Sequence, residues 1–237
     1  MRLIQSIILP AFHRKLALFL LFLCTVSAGA QSPKETRVGA SLSLEVEKDL
    51  NRFFSLTGEE EVRLLDNNTG FDRTVTSLGI DYALFDRRIK IGTYYAFLYL
   101  YNNDYFFEPR HRYYFNLSYK ETVGSWILSW RGRVQGTYRD ENRGEYKINP
   151  KYVMKNKCEV AYLIFGSPWK PRLSCDFYTN LNDPVRGCEL TRFRFEGGAT
   201  WRLNRTDYLD FFLRLDEYLA GDEPRVASVG VAYKIKL

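Results

Sequence analysis

The chain has 237 residues, 46% hydrophobic and 26% charged, with a formal charge of +6. Basic and acidic residues are interleaved without a long basic run, which excludes the electrostatic footprint of a nucleic-acid-binding protein. Aromatic residues make up 16% of it, a share high for a soluble domain and ordinary for a membrane barrel with aromatic girdles.

Residues 1–30 read as a cleaved secretory signal peptide. Arg14 and Lys15 form a basic flank, Leu16 to Leu23 an apolar core, and Ala28-Gly29-Ala30 a small-residue cleavage site before Gln31. The apolar run is far short of the roughly 20 residues that a membrane helix needs. Losing Arg2, Arg14 and Lys15 with no acids lowers the charge from +6 to +3 for the mature domain, residues 31–237. No later segment is a candidate membrane helix. Insertion therefore requires a closed sheet, because an open edge in lipid leaves backbone groups unpaired.

After a polar stretch at 31–38, eleven segments alternate apolar and polar residues with the period-two pattern of strands. The first runs from about Gly39 to Glu47, the second from Arg52 to Leu64, the third from Arg73 to Leu84 and the fourth from Ile89 to Tyr101. The fourth is apolar on both faces near its end. In the second, Glu60 falls on the apolar parity, which suggests a bulge or register shift there. The fifth strand spans Arg110 to Lys120, the sixth Trp126 to Tyr138 and the seventh Tyr152 to Phe165. The eighth spans Arg172 to Asn180, the ninth Glu189 to Leu203, the tenth Tyr208 to Asp216 and the last Val229 to Leu237.

The last strand shows the two faces most clearly. Val229, Val231, Tyr233, Ile235 and Leu237 alternate with Gly230, Ala232, Lys234 and Lys236. A membrane strand turns the apolar parity to lipid and the small or charged parity to a lumen. Short connections at 49–51, 85–88, 121–125, 166–171 and 204–207 alternate with longer ones at 65–71, 102–109, 139–150, 181–188 and 217–225. Tyr82, Tyr119, Trp126, Trp201 and Tyr208 lie close to the short turns, where one girdle belongs. The pattern predicts an all-β fold, an antiparallel transmembrane up-and-down β-barrel of about 12 strands (10–12). Twelve is reached if residues 31–38 add a short strand, ten if the first stretch is not wall.

The mature chain has three cysteines, Cys158, Cys175 and Cys188, at no metal-ligand spacing. Cys158 and Cys175 fall on the apolar parity and read as small lipid-facing residues.

The chain resembles a family of outer-membrane barrels known as domain of unknown function 2490. The resemblance rests on Glu59-Glu60-Glu61-Val62-Arg63, His111-Arg112, Arg131-Gly132-Arg133-Val134-Gln135, Met154-Lys155-Asn156-Lys157 and the Pro168 to Phe177 segment, in that order. It departs from the pattern at Lys155, where Arg is expected, and Asp176, where Glu is expected, and it ends in Leu237 rather than Phe. The resemblance implies a location, the cell outer membrane, and a fold. It implies no activity.

The inward parity carries the candidate binding or structural residues: Glu59, Glu61, Arg63, Arg112, Arg131, Arg133, Lys155, Asp176, Arg192, Arg194, Glu196 and Arg214. They can fill a narrow barrel with mutually paired charges, since a lone buried ion is costly. They can equally line a water path or hold an anion, because arginine grips carboxylate or phosphate in bidentate fashion.

Hydrolysis by a Ser–His pair would need His111, which sits at a strand mouth and reads as a loop-edge residue. Glu59 and Glu61 lie beside Arg63, which favours a salt bridge over acid–base work. No metal or cofactor motif is present in the sequence. The reading is a non-enzymatic narrow pore or structural scaffold, with outer-membrane lipid and the barrel-insertion machinery as partners and no nucleic acid. Two alternatives stand beside it. One is a barrel enzyme acting on lipid or glycan. The other is a soluble secreted barrel that binds an apolar ligand, which would place the aromatic parity inside.

Overall fold

The structure, a computed structural model, describes residues 35–66, 70–102, 106–139, 148–219 and 223–237. The signal-peptide reading of residues 1–30 and the middle of the connection expected at 65–71 lie outside the described residues.

Among the described residues, eleven strands follow one another: β1 (Thr36–Asp49), β2 (Phe54–Leu65), β3 (Phe71–Leu84), β4 (Ile89–Asn102), β5 (Phe106–Val123), β6 (Trp126–Arg139), β7 (Lys151–Tyr162), β8 (Trp169–Asp183), β9 (Gly187–Arg202), β10 (Asp207–Tyr218) and β11 (Arg225–Lys236). Each pairs antiparallel with its chain neighbour, and the sheet closes where β1 meets β11. That seam is parallel, running from Thr36 opposite Arg225 to Glu47 opposite Lys236. Closure leaves no free edge, which is the condition for a sheet to stand in lipid.

The seam settles the strand number at eleven. An up-and-down wall with an odd count must bring its first and last strands together pointing the same way. Residues 36–38 are the first three of β1 and add no separate strand. Glu60 needs no bulge either. It pairs in unbroken register with Leu44 and Thr76, and the irregularity falls between Arg63 and Leu64. Its carboxyl therefore stays on the parity of Leu44.

All turns at one end are compact, and Leu237 lies there, bonded through its backbone to Glu47 and Asp49. Gly124, at φ +61°, forms a two-residue turn with Ser125 between β5 and β6. The opposite end carries the remaining connections. Two expected long loops there are shorter: β4 continues to Asn102 and β5 begins at Phe106, and 181–188 is a three-residue turn because β8 continues to Asp183 and β9 begins at Gly187. The Asp183 carboxylate accepts bonds from the backbone N–H groups of Val185 and Arg186, at 3.0 and 2.9 Å, and so fixes this turn locally.

The two parities face as the alternation predicts. Leu42, Leu78 and Leu213 are 64%, 64% and 66% exposed on the outer face, whereas Leu98 on the inner face is 1% exposed. Trp130 and Phe195 are also exposed. An outer apolar surface this continuous demands a nonpolar surrounding. The soluble alternative requires these rings at the centre, and they are not there. Two aromatic bands flank the outer face. At the turn end are Phe54 with Tyr82, Trp126 with Tyr162, and Trp169 stacked on Trp201. Towards the loop end are Tyr95 with Tyr113, Tyr113 with Tyr138, and Tyr99 stacked on Phe107. Cys158 and Cys175 are direct cross-strand partners with free thiols on this outer face.

Inside, Ala96, Leu98 and Leu100 of β4 and Tyr114 of β5 form a small apolar cluster. This is the stretch of β4 that reads as apolar on both faces. Its inner parity packs against Val75 and Tyr94 within the barrel.

Candidate functional site in the lumen

Small residues on β11 and β1 make room for long ones opposite. Ser41, Ser43, Gly230 and Ala232 occupy the inner parity there, and the outer edge of the Phe212 ring sits over Gly230, where an added Cβ would meet it at 2.1 Å. Arginines of β8 to β10 can then lean across several strands. Arg172 donates two bonds to Asp210, at 3.0 and 2.9 Å, and one to Glu196 at 2.6 Å. Arg214 bonds the other oxygen of Glu196 at 3.1 Å and reaches Glu61 at 3.6 Å. Glu61 also accepts from Arg63 at 2.7 Å and from Ser41 at 2.9 Å. Arg194 holds Asp216 in a bidentate grip at 2.6 and 2.9 Å. In this half of the lumen each of these charges has an opposite charge beside it, which is how a narrow interior can carry ions at all.

The opposite half differs. Arg133 of β6 donates through Nε to Asn116 at 2.8 Å, and its guanidinium lies 3.9 Å over the Tyr114 ring. Tyr114 stacks in turn on Tyr94, with centroids 4.9 Å apart and planes 5° from parallel. The Tyr94 hydroxyl donates to Asp81 at 2.5 Å. Arg112 donates through Nε to Thr137 at 3.0 Å. Both arginines are thus held by neutral acceptors and leave their terminal nitrogens without a carboxylate among the described residues. Arg131 has no ion pair there either. It stands directly opposite Lys157, and Arg133 directly opposite Lys155. Like charges placed face to face on adjacent strands oppose folding unless something compensates. Lys157 has Glu159 at 2.9 Å and Lys155 has Asp176 at 3.4 Å, so two of the four cations are balanced.

Between the two halves lies a cavity of about 580 Å³. Eleven of the twelve candidate residues line it, and Arg192 lines a smaller cavity of about 80 Å³ nearer the loop end. Arg63, Arg194 and Arg214 border both spaces. Thirteen Lys and Arg side chains surround the main cavity against seven Asp and Glu. Arg192 lies 3.7 Å over the Tyr178 ring, which Lys155 and Arg194 also approach.

His111 stands apart from all this. Its Nδ1 is 2.7 Å from the Tyr95 hydroxyl, and its ring meets Phe97 on the outer aromatic band. Glu59 and Glu61 share the lumen wall, but Glu61 is engaged by Arg63, Arg214 and Ser41. Sequence reasoning missed the Tyr94–Tyr114–Arg133 stack. The signal for it was glycine: Gly79 and Gly92 sit on the inner parity beside Tyr94, and a Cβ at Gly79 would meet its ring at 2.0 Å.

These features define a closed β-barrel of the outer-membrane type with a charged, partly open lumen. Residues 39–215 match the family described as "Protein of unknown function (DUF2490)", and the chain belongs to that family. A solved structure titled "Bacterial polysaccharide outer membrane secretin" is similar, with a TM-score of 0.51 and 14% sequence identity, over 76% of this chain and 63% of that one. At that identity the likeness shows the fold alone. None of the curated proteins matches.

Proposed function

We propose that the protein is a non-enzymatic barrel of the bacterial outer membrane whose narrow lumen concentrates small anionic solutes. The observation that carries this reading is the charge imbalance of the main cavity, thirteen cations against seven carboxylates. Field lines from such a wall are focused by the low-dielectric barrel and raise the local anion concentration. Export through a signal peptide, insertion by the barrel-assembly machinery and contact with outer-membrane lipid complete the reading. In that setting the compact-turn end faces the periplasm and the loop end the exterior.

Planar-bilayer recording under a salt gradient tests it. The expected result is a small conductance whose reversal potential favours chloride over potassium. A folded barrel that is silent, and that binds no small anion in calorimetry, would defeat the reading. A scaffold role is the second reading, favoured by the satisfied chain from Asp210 through Arg172, Glu196, Arg214 and Glu61 to Arg63.

A further inference from the structure

The unbalanced cations have a counterpart. Glu59 of β2 points into the main cavity and makes no hydrogen bond or ion pair among the described residues. Its direct neighbour Glu45 is taken by Lys234 at 3.2 Å, and Glu61 by the arginines named above. Glu59 is therefore the inner carboxylate left over on the acidic wall, and Arg131 and Arg133 are, with Arg112, arginines left over on the basic one.

The two leftovers lie at one depth. Paired positions run from Glu59 through Ser77 and Ala96 to Arg112 and Thr137. In a barrel with strands tilted about 40°, four such steps climb roughly five residues along the axis. The position on β6 level with Glu59 is then near 132, between Arg131 and Arg133. Four strands of eleven place the two backbones about 20 Å apart across the lumen. Subtracting an extended arginine and a glutamate leaves a gap of about 10 Å. The fields of Lys234 and Arg133 both act on Glu59.

We propose that the main cavity takes a small zwitterion, with its carboxylate on the terminal nitrogens of Arg131 and Arg133 and its ammonium on Glu59. The geometry fits a short amino acid, whose opposite charges lie a few ångströms apart. An anion alone would satisfy one wall and leave Glu59 without a hydrogen-bonded partner. A zwitterion satisfies both, and the field between the walls orients it. Arg133 is already fixed by Tyr114 and Asn116, so little ordering is required on binding.

This rests on the anion-concentrating reading, and one titration series separates the two. γ-Aminobutyrate, butyrate and butylammonium are titrated into the detergent-folded full-length barrel by calorimetry. The wild type is expected to bind γ-aminobutyrate at least about fivefold tighter than butyrate, and butylammonium not at all. Glu59→Gln is expected to bring γ-aminobutyrate down to the level of butyrate while butyrate itself is unaffected. Glu59→Ala repeats the test should the glutamine variant not fold. Equal affinity for γ-aminobutyrate and butyrate in the wild type overturns the zwitterion while leaving anion binding intact. A preference that survives Glu59→Gln also overturns it. Binding of neither, together with no anion preference in bilayers, removes the underlying reading as well.

Discussion

Arg172 shows what a single side chain does in this interior. It satisfies Asp210 and Glu196 together from a position only 8% exposed. Removing it leaves Glu196 with Arg214 alone and Asp210 with Thr200 and a Lys234 ammonium 3.8 Å away, and a broken buried pair costs about 3 kcal/mol or more. Arg172→Ala is expected to lower the unfolding free energy by that amount, read by urea titration of the refolded barrel with tryptophan fluorescence. Lys157 borders open cavity and makes its one ion pair among the described residues with Glu159, so Lys157→Ala is expected to cost less than Arg172→Ala, about 1 kcal/mol, in the same assay. Gly79→Ala would drive a methyl into the Tyr94 ring and disturb its stack on Tyr114. A loss of about 1–3 kcal/mol is expected. At this scale the sequence was half legible. Parity alone put Glu59, Arg133 and Arg214 on one inner face. It could not say that Arg214 would reach Glu61 across β11 and β1, because that contact depends on strand tilt and on the small residues between.

The strands themselves were more legible. Period-two alternation located all eleven, with bounds a few residues from those observed. The errors have physical causes. β8 begins three residues earlier and ends three later than the alternation suggested, since backbone pairing with β9 continues where the side-chain pattern fades. The outward orientation of each strand makes its own prediction. Leu213 sits mid-strand in β10 and is exposed on the outer face. Leu213→Arg should destabilise the barrel in phospholipid bilayers by about 2–4 kcal/mol, as a lipid-facing cation near the midplane does. The same substitution at Val185, exposed in the β8–β9 turn, is expected to change stability by no more than about 0.5 kcal/mol. Equal effects at the two sites would contradict lipid contact.

For the molecule as a whole, the proposed function rests on the difference between the two halves of the lumen. One half is a closed network, and the other keeps arginines without acidic partners. The double substitution Arg131→Gln, Arg133→Gln removes two of thirteen cavity cations. It is expected to shift the reversal potential towards zero anion preference without unfolding the barrel, since neither residue anchors a carboxylate. The shift should shrink at high salt, where the wall charges are screened within about 3 Å at 1 M.

An odd wall also fixes the rims at which its first strand starts and its last strand finishes. Glu35 accepts a backbone bond from Arg225 at the rim that bears the loops, while Leu237 is tied to Glu47 and Asp49 at the rim that bears the turns. A barrel with paired hairpins throughout would deliver both to one rim. Here an epitope inserted directly before Thr36 and another appended to Leu237 should answer to protease from opposite compartments, each cut in intact cells or in lysed ones but not both alike.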